Sequence, residues 1–469
     1  MAMIKDKGEI IETIESLCPH CLQKLTAYKV LRGQNVYMEK ACPKHGFFQV
    51  VLWRGQPEYQ SWKRPKIPSA PKVCFTEVDK GCPFDCGLCA DHRQHTCTAL
   101  LEVTHRCNLN CSFCFADASP DQRDDPDITV IKGWYQKLLA AGGPYNVQIS
   151  GGEPTVRNDL APIVAMGRQM GFNFIQLNTN GLRLAQDKNY IKELRAAGLA
   201  SIFLQFDGTK DSIYQALRGR QLLAEKITAI ENCLAENIGV VLVPTLVPGV
   251  NTDNIGDIIR FALEYAPGVR GVHFQPVSYF GRYPEPPKDE QRITIPEVIS
   301  SICEQTAGLT APDNFLPPGC ENALCSFHGN FVLMPDGQLM CWSKNKSSCC
   351  GSSIEMAAEG SKKARQFVSK YWSYPEVKIN KPIDFGGWDV FLQRVKTHSF
   401  TISGMAFQDV WNLDIERVRD CCIHIVSPQG DIIPFCAYNL TASNGNSLYR
   451  GKQDGDNSVG QLDSKKNRV

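Results

Sequence analysis

Between about residues 100 and 280, short apolar runs alternate with stretches whose apolar residues recur every three or four positions. The runs Leu100–Thr104, Val147–Ser150, Phe172–Leu177, Ser201–Phe206, Val240–Leu246 and Gly271–Pro276 predict short strands in a sheet covered on both faces. The stretches between them predict helices. Ile128, Ile131, Tyr135 and Leu138 form one stripe, and Leu160, Ile163, Val164 and Met170 another. Tyr190, Ile191 and Leu194 run into Gly198, a natural helix C-cap. Ile227, Ile230 and Leu234 repeat the spacing, as do Ile255, Ile258, Ile259 and Ala262. Six such β–α units make an α/β fold with parallel strands and right-handed crossovers. Six is too few for a closed eight-stranded barrel.

The flanks read differently. Residues 56–72 are rich in Pro and Lys and predict a linker, which closes an N-terminal unit of residues 1–72. A cysteine-dense segment, 73–99, precedes the α/β core at 100–304. Residues 305–440 form a mixed C-terminal unit with two hairpin-like runs, FVLMPDGQLMC and HIVSPQGDIIPFC. Each has a Pro-x-Gly turn, an apolar return strand and a terminal cysteine. Residues 441–469 are polar and predict a disordered tail.

At 469 residues the chain exceeds the size at which a single core stops growing. Fifty basic and 49 acidic residues give a net charge of +1, so electrostatics supply no argument for a nucleic-acid partner. No apolar run approaches a membrane span, and the N-terminus lacks a secretory core. A cytoplasmic location is the expectation. The 21 cysteines change the picture most. In a reducing compartment they read as metal ligands rather than disulfides. Eleven lie between Cys18 and Cys114 and eight between Cys320 and Cys436, with only Cys233 and Cys303 between these groups.

Cys107, Cys111 and Cys114, in HRCNLNCSFCF, have the spacing C-x3-C-x2-C. A 4Fe–4S cubane normally takes four thiolates, so three from one loop leave one iron open. The plain alternative is a structural zinc loop. The run follows the first predicted strand, and Gly151-Gly152-Glu153-Pro154 follows the second. Strand C-terminal ends carry the site in such folds, so both motifs fall on one rim. Together, with Phe113 before the last cysteine, they resemble the radical S-adenosylmethionine (SAM) superfamily. That resemblance implies a partial (β/α)6 barrel with SAM chelating the open iron. It also implies that Gly151, Gly152, Glu153 and Pro154 hold the amino group of SAM. Later strand ends offer Asn178, Asn180, Gln205, Asp207, Thr245 and Gln275 as further SAM or substrate contacts. Asn-Gly and Asp-Gly also favour turns without any ligand.

Three other cysteine groups suggest metals. Cys82, Cys86, Cys89 and Cys97 can close a full coordination sphere and predict an auxiliary 4Fe–4S cluster or a zinc site. His92, His95 or Cys74 could replace one of the four. Cys18 and Cys21, with Cys42 and His45, form two knuckles that suit one tetrahedral iron or zinc. Cys320, Cys325, Cys421 and Cys436 are the favoured ligands of a third cluster, with Cys341 their rival and Cys349 and Cys350 weaker candidates. His105 and His273 are given no role.

The phrases GCPFDCGLCADHRQHTC, VTHRCNLNCSFCFA, QISGGEPTVRNDL, IQLNTNGLRLA, LQFDG and HFQPVSYFGR narrow the resemblance. They are similar to a radical SAM subgroup containing the archaeal tetraether lipid synthases and their bacterial relatives, a subgroup also described as pterin-directed methyltransferases. This resemblance implies two or three 4Fe–4S clusters plus one mononuclear site. It also implies an electron donor such as a ferredoxin or flavodoxin, with transient membrane contact if the substrate is a lipid. The leading expectation is an enzyme that generates a 5′-deoxyadenosyl radical for C–C bond formation between lipid alkyl chains. Radical methylation of a pterin-like ring is the alternative enzyme. A non-enzymatic iron–sulfur electron carrier is the alternative of another class.

Overall fold

The computed structural model describes residues 8–121, 125–343, 354–375 and 387–451. Cys349 and Cys350 lie outside these residues.

The N-terminal unit is an antiparallel meander of β1 (Glu9–Leu17), β2 (Lys24–Arg32), β3 (Asn35–Cys42) and β4 (Gly46–Trp53), paired in that order. Its inner face buries Ile14, Ala27, Met38 and Val50. The two Cys-containing knuckles are the turns β1–β2 and β3–β4, at the same end of the sheet. Trp53, Tyr59 and Trp62 then pack together and carry the chain onto the main core.

The six predicted strands form as β5 (Thr98–Glu102), β6 (Asn146–Ser150), β7 (Ile175–Thr179), β8 (Ser201–Gln205), β9 (Gly239–Val243) and β11 (Val269–Pro276). The two-residue β10 (Thr245–Leu246) pairs with the end of β11. Neighbours are parallel throughout this run. The interleaved helices bury the predicted stripes, for instance Ile131, Tyr135 and Leu138, and Ile258, Ile259 and Ala262. One helix is rotated from expectation. Residues Leu223–Ala235 bury Lys226, Ala229, Ile230 and Cys233, so a lysine rather than Ile227 faces inward.

The C-terminal region extends this same sheet at both edges. Beyond β11 come β14 (Ser399–Met405), β12 (Ser326–Leu333) and β13 (Leu339–Cys341). Beyond β5 come β15 (Ile423–Val426) and β16 (Ile432–Pro434). The two hairpin-like sequences are the antiparallel pairs β12–β13 and β15–β16.

The expected tail needs correction over 441–451. Leu448 is buried, and the Tyr449 hydroxyl donates to the Pro83 carbonyl at 2.7 Å. Arg450 makes a bidentate pair with the buried Glu102 at 2.7 and 2.9 Å. The polar composition concealed one apolar anchor and one charge matched to a buried partner. Residues 452–469 lie outside the described residues. Among the described residues, no helix is long and apolar enough to cross a membrane.

Candidate functional site

The loop after β5 carries Cys107, Cys111 and Cys114 to the C-terminal rim of the sheet. Its shape is fixed by backbone contacts. Gly152 and Glu153 donate from their N–H groups to the carbonyls of Thr104 and Arg106, both at 2.8 Å. This close approach explains the two glycines. A Cβ on Gly151 would lie 2.1 Å from the Thr104 oxygen, and one on Gly152 would lie 2.2 Å from the Arg106 oxygen. Gly151 also has φ +130°, which disfavours any side chain. On the other side, the Arg282 guanidinium donates to the carbonyls of Cys111 and Ala118 at 2.9 and 2.8 Å.

Glu153 is buried, and its carboxylate is already engaged. It accepts from Thr155 N–H and Oγ at 3.0 and 2.7 Å, Thr179 Oγ at 2.7 Å and Asn180 N–H at 2.6 Å. It therefore pins the ends of β6 and β7 together in addition to bordering the cavity. Asn180 Nδ2 reaches Asn108 of the cysteine loop at 2.7 Å.

A cavity of about 600 Å3 opens beneath these motifs. Gly151, Gly152, Glu153, Asn178, Asn180, Gln205, Thr245 and Gln275 all line it. Pro154 and Asp207 do not. Pro154 starts a tight helical turn. Asp207, fully buried, takes a bidentate pair from Arg218, both bonds at 2.7 Å, and also accepts from Thr245 N–H. Its carboxylate is used inside the protein, which the Asp-Gly sequence could not reveal.

The sequence also left Arg218, Lys226 and His273 unassigned. Arg218 lines the cavity beside Cys111. Burial opposes its charge, but the Asp207 carboxylate outweighs this and holds the guanidinium protonated. Lys226 donates to the Asn180 carbonyl at 2.5 Å, and burial lowers its pKa to about 8. The Gln205 amide lies between these two cations, 3.3 Å from Lys226 and 3.2 Å from Arg218 when its oxygen faces the latter. His273 reaches Ser403 Oγ at 2.9 Å, and burial lowers its pKa to about 4, so the ring is neutral. No local pattern marked these residues, because their partners lie 11 to 130 residues away along the chain.

Two predicted cysteine sets are regrouped. Cys97 is not joined to Cys82, Cys86 and Cys89. It comes within 3.3 Å (Sγ–Sγ) of Cys422, and Cys97, Cys320 and Cys422 lie within 4.8 Å of one another. The cause is strand pairing. β15 lies parallel to β5, and Cys97 N–H donates to the Cys422 carbonyl at 2.8 Å. Cys320 and Cys422 hydrogen-bond to Cys97 and hold its thiol well below the usual range. Cys320 is thus removed from the expected Cys320/Cys325/Cys421/Cys436 set. Burial raises the last three, the nearby Cys436 and Cys325 add to this at Cys421, and Arg417 Nε lies 3.4 Å from the Cys325 sulfur. Cys341 instead faces the Ser343 carbonyl.

The Cys97 set also lines the cavity, at the N-terminal end of β5. The Cys107 loop follows the C-terminal end of the same strand. Five residues of strand span roughly 17 Å, so the cavity runs the length of the sheet between two thiol sets. Cys18, Cys21, Cys42 and His45 assemble as expected, all ligand atoms within 4.8 Å. That spacing suits one tetrahedral ion, whose sulfur bonds are about 2.3 Å long.

A glycine-tightened three-thiol loop thus stands at the mouth of the cavity, and the chain belongs to the radical SAM superfamily. Residues 101–262 match that superfamily, and residues 10–54 match the HMPTM N-terminal zinc ribbon domain. The 7,8-dihydro-6-hydroxymethylpterin dimethyltransferase of Methanocaldococcus jannaschii is 36% identical, over 90% of this chain and 92% of its own length. The GTP 3′,8-cyclase of Heliobacterium modesticaldum is 28% identical, over 63% of this chain and 86% of its own. Among solved structures, methylornithine synthase aligns with a TM-score of 0.38 and 15% identity, covering 59% of this chain and 82% of that one. Streptococcus suis SuiB aligns at 0.36 and 17%, covering 42% and 44%. The protein is an enzyme that uses SAM and a 4Fe–4S cluster and has an additional metal site. Such enzymes need an external reductant.

Proposed function

We propose that the enzyme methylates a reduced, pterin-like heterocycle, using SAM-derived radical chemistry. The observation that carries this reading is a pair of unmatched polar atoms in two residues that line the cavity. Asn178 Oδ1 and Trp372 Nε1 are both buried and lack any hydrogen-bond partner. A buried acceptor and a buried donor each cost free energy unless a ligand satisfies them. A ring with both lactam and amine groups supplies the matching donor and acceptor. A saturated alkyl chain supplies neither, which favours the heterocycle over the lipid-coupling alternative.

The surroundings agree. Gln148, Gln176 and Asn178 form a connected row of amides, with Gln148 donating to Gln176 at 2.8 Å. Phe203 stacks on Trp372 with ring centroids 5.7 Å apart, and His273 meets Trp372 edge-on. Flat aromatic faces beside amides suit a planar ring. The likeness to the pterin dimethyltransferase over nearly the whole chain points the same way.

Cys107, Cys111 and Cys114 fit a cubane with one open iron. Burial raises the Cys107 thiol to about 12, so a metal is needed to stabilise the thiolate in place. When bound, this cluster supplies the electron that cleaves SAM to methionine and a 5′-deoxyadenosyl radical. The protein's own residues do the positioning. Arg282 and the Gly151–Glu153 strap fix the loop. Asn180 and Glu153 define the rim where the amino-acid part of SAM would lie. Arg218 places a fixed positive charge beside Cys111. The apolar lining, with Phe203, Phe327 and Trp372, excludes water from a radical. Cys97, Cys320 and Cys422 would hold an auxiliary metal at the far end. A ferredoxin or flavodoxin would serve as reductant.

The test is anaerobic incubation of the reduced enzyme with methyl-labelled SAM and either a dihydropterin or a long-chain saturated lipid. Mass spectrometry should detect 5′-deoxyadenosine and a methylated pterin. Stimulation by the lipid, with label in a lipid product and none in the pterin, would overturn the proposal.

A further inference from the structure

With Cys97 drawn away, Cys82, Cys86 and Cys89 retain three thiols and lack a fourth ligand. All three line one small recess. Unlike the Cys18 set, they are not gathered within the 4.8 Å span of a single-ion site among the described residues. The Cys107, Cys111 and Cys114 thiols share that wider arrangement. A cluster, not a lone ion, therefore suits both sets.

The recess around these thiols is closed by His92, Val418, Arg419 and Pro434. His92 is 5% exposed, and its Nε2 has no hydrogen-bond partner. Its ring is hydrogen-bonded to the backbone of Cys421. That bond places the proton on Nδ1 and leaves the Nε2 lone pair free. Metal-bound histidines are held in this way, with one nitrogen donating to a carbonyl and the other on the metal. His424, fully buried, packs edge-on at 5.0 Å and fixes the ring plane. Arg419 Nε is likewise buried without an acceptor and borders the same recess. It is a donor available to a cluster sulfide, a contact that tunes such centres.

We infer that Cys82, Cys86, Cys89 and His92 Nε2 hold an iron–sulfur cluster, with Arg419 donating to one of its sulfides. The Tyr449 hydroxyl accepts from Cys86 N–H at 3.0 Å, so residues near the end of the described chain cover the site. Three thiolates and one imidazole leave no open iron. This centre relays electrons and does not bind substrate, in contrast to the Cys107 set. Replacing one thiolate by imidazole raises a cluster's potential.

The test uses the tag-free full chain, reconstituted with iron and sulfide and reduced in the absence of SAM. Protein grown with 15N-histidine should show a strong 15N hyperfine coupling to the reduced cluster. His92→Cys should keep the iron content, lose that coupling and lower the potential. His92→Ala should lose about one cubane of iron. Absence of the coupling in the native chain, or its survival in His92→Cys, would overturn the assignment. So would loss of one cubane from Cys74→Ala while His92→Ala keeps its iron, because the exposed Cys74 would then be the fourth ligand.

Discussion

Replacing Arg218 by Met isolates the buried charge pair that backs the SAM site. The guanidinium and the Asp207 carboxylate are 4% and 0% exposed and share two 2.7 Å bonds. Met fills much of the volume but leaves Asp207 with only the Thr245 N–H at 3.2 Å. Removing one partner of such a pair costs about 3–5 kcal/mol, because a buried charge is left uncompensated. Unfolding entropy near ~2.1 cal/mol/K per residue gives this chain about 1 kcal/mol per degree if it melts as one unit. The melting temperature should therefore fall by about 3–5 °C. Adding Asp207→Asn removes the stranded charge and should recover about 2 °C of that loss. Thermal unfolding under anaerobic conditions, with clusters loaded, measures both. A single variant that melts within about 1 °C of the native protein, or a double variant less stable than the single, refutes the reasoning. SAM cleavage should fall in both variants, since each lacks the positive charge beside Cys111.

Four further outcomes are expected. Gly152→Ala should cost about 1–3 kcal/mol through its clash with the Arg106 carbonyl, and Gly151→Ala should cost more because backbone strain adds to the clash; melting temperature and retained iron report both. Alanine at Cys97, Cys320 or Cys422 should each remove the same single metal centre, and pairs within this set should remove no more, whereas adding Cys82→Ala should remove a second share. Cys42→Ser should release one metal ion per chain by elemental analysis, leaving the iron–sulfur absorbance in place. Burial lowers His273 to about 4 from 6.5, so the unfolded chain binds the extra proton first as pH falls. The stability this residue allows is full above pH 6.5 and declines towards pH 4, by up to about 3 kcal/mol; His273→Gln should flatten that part of the pH–stability profile relative to the native protein.

The six-strand core and the Cys107 loop were legible in sequence because their signals are local. A short β-branched run predicts a buried strand, and C-x3-C-x2-C puts three thiols on one loop whatever the rest of the chain does. The Cys18/Cys21/Cys42/His45 site was legible for the same reason, since each knuckle is one tight turn. Sequence distance misled where strands from remote segments meet. Cys97 lies eight residues from Cys89 yet belongs with Cys422, because β15 adds to the edge of β5 and aligns the two. Cys320 and Cys325 were separated by the same packing. Lys226 reads as a surface residue by polarity, but the Asn180 carbonyl and Gln205 draw it inward. Asp207 reads as a ligand, but Arg218 claims its carboxylate. The chain alone thus determined which residues could bind metal and where the strand ends put them. Only the tertiary structure decided how they are partitioned into sites, because that depends on strand pairing and buried charge matching between segments far apart in sequence.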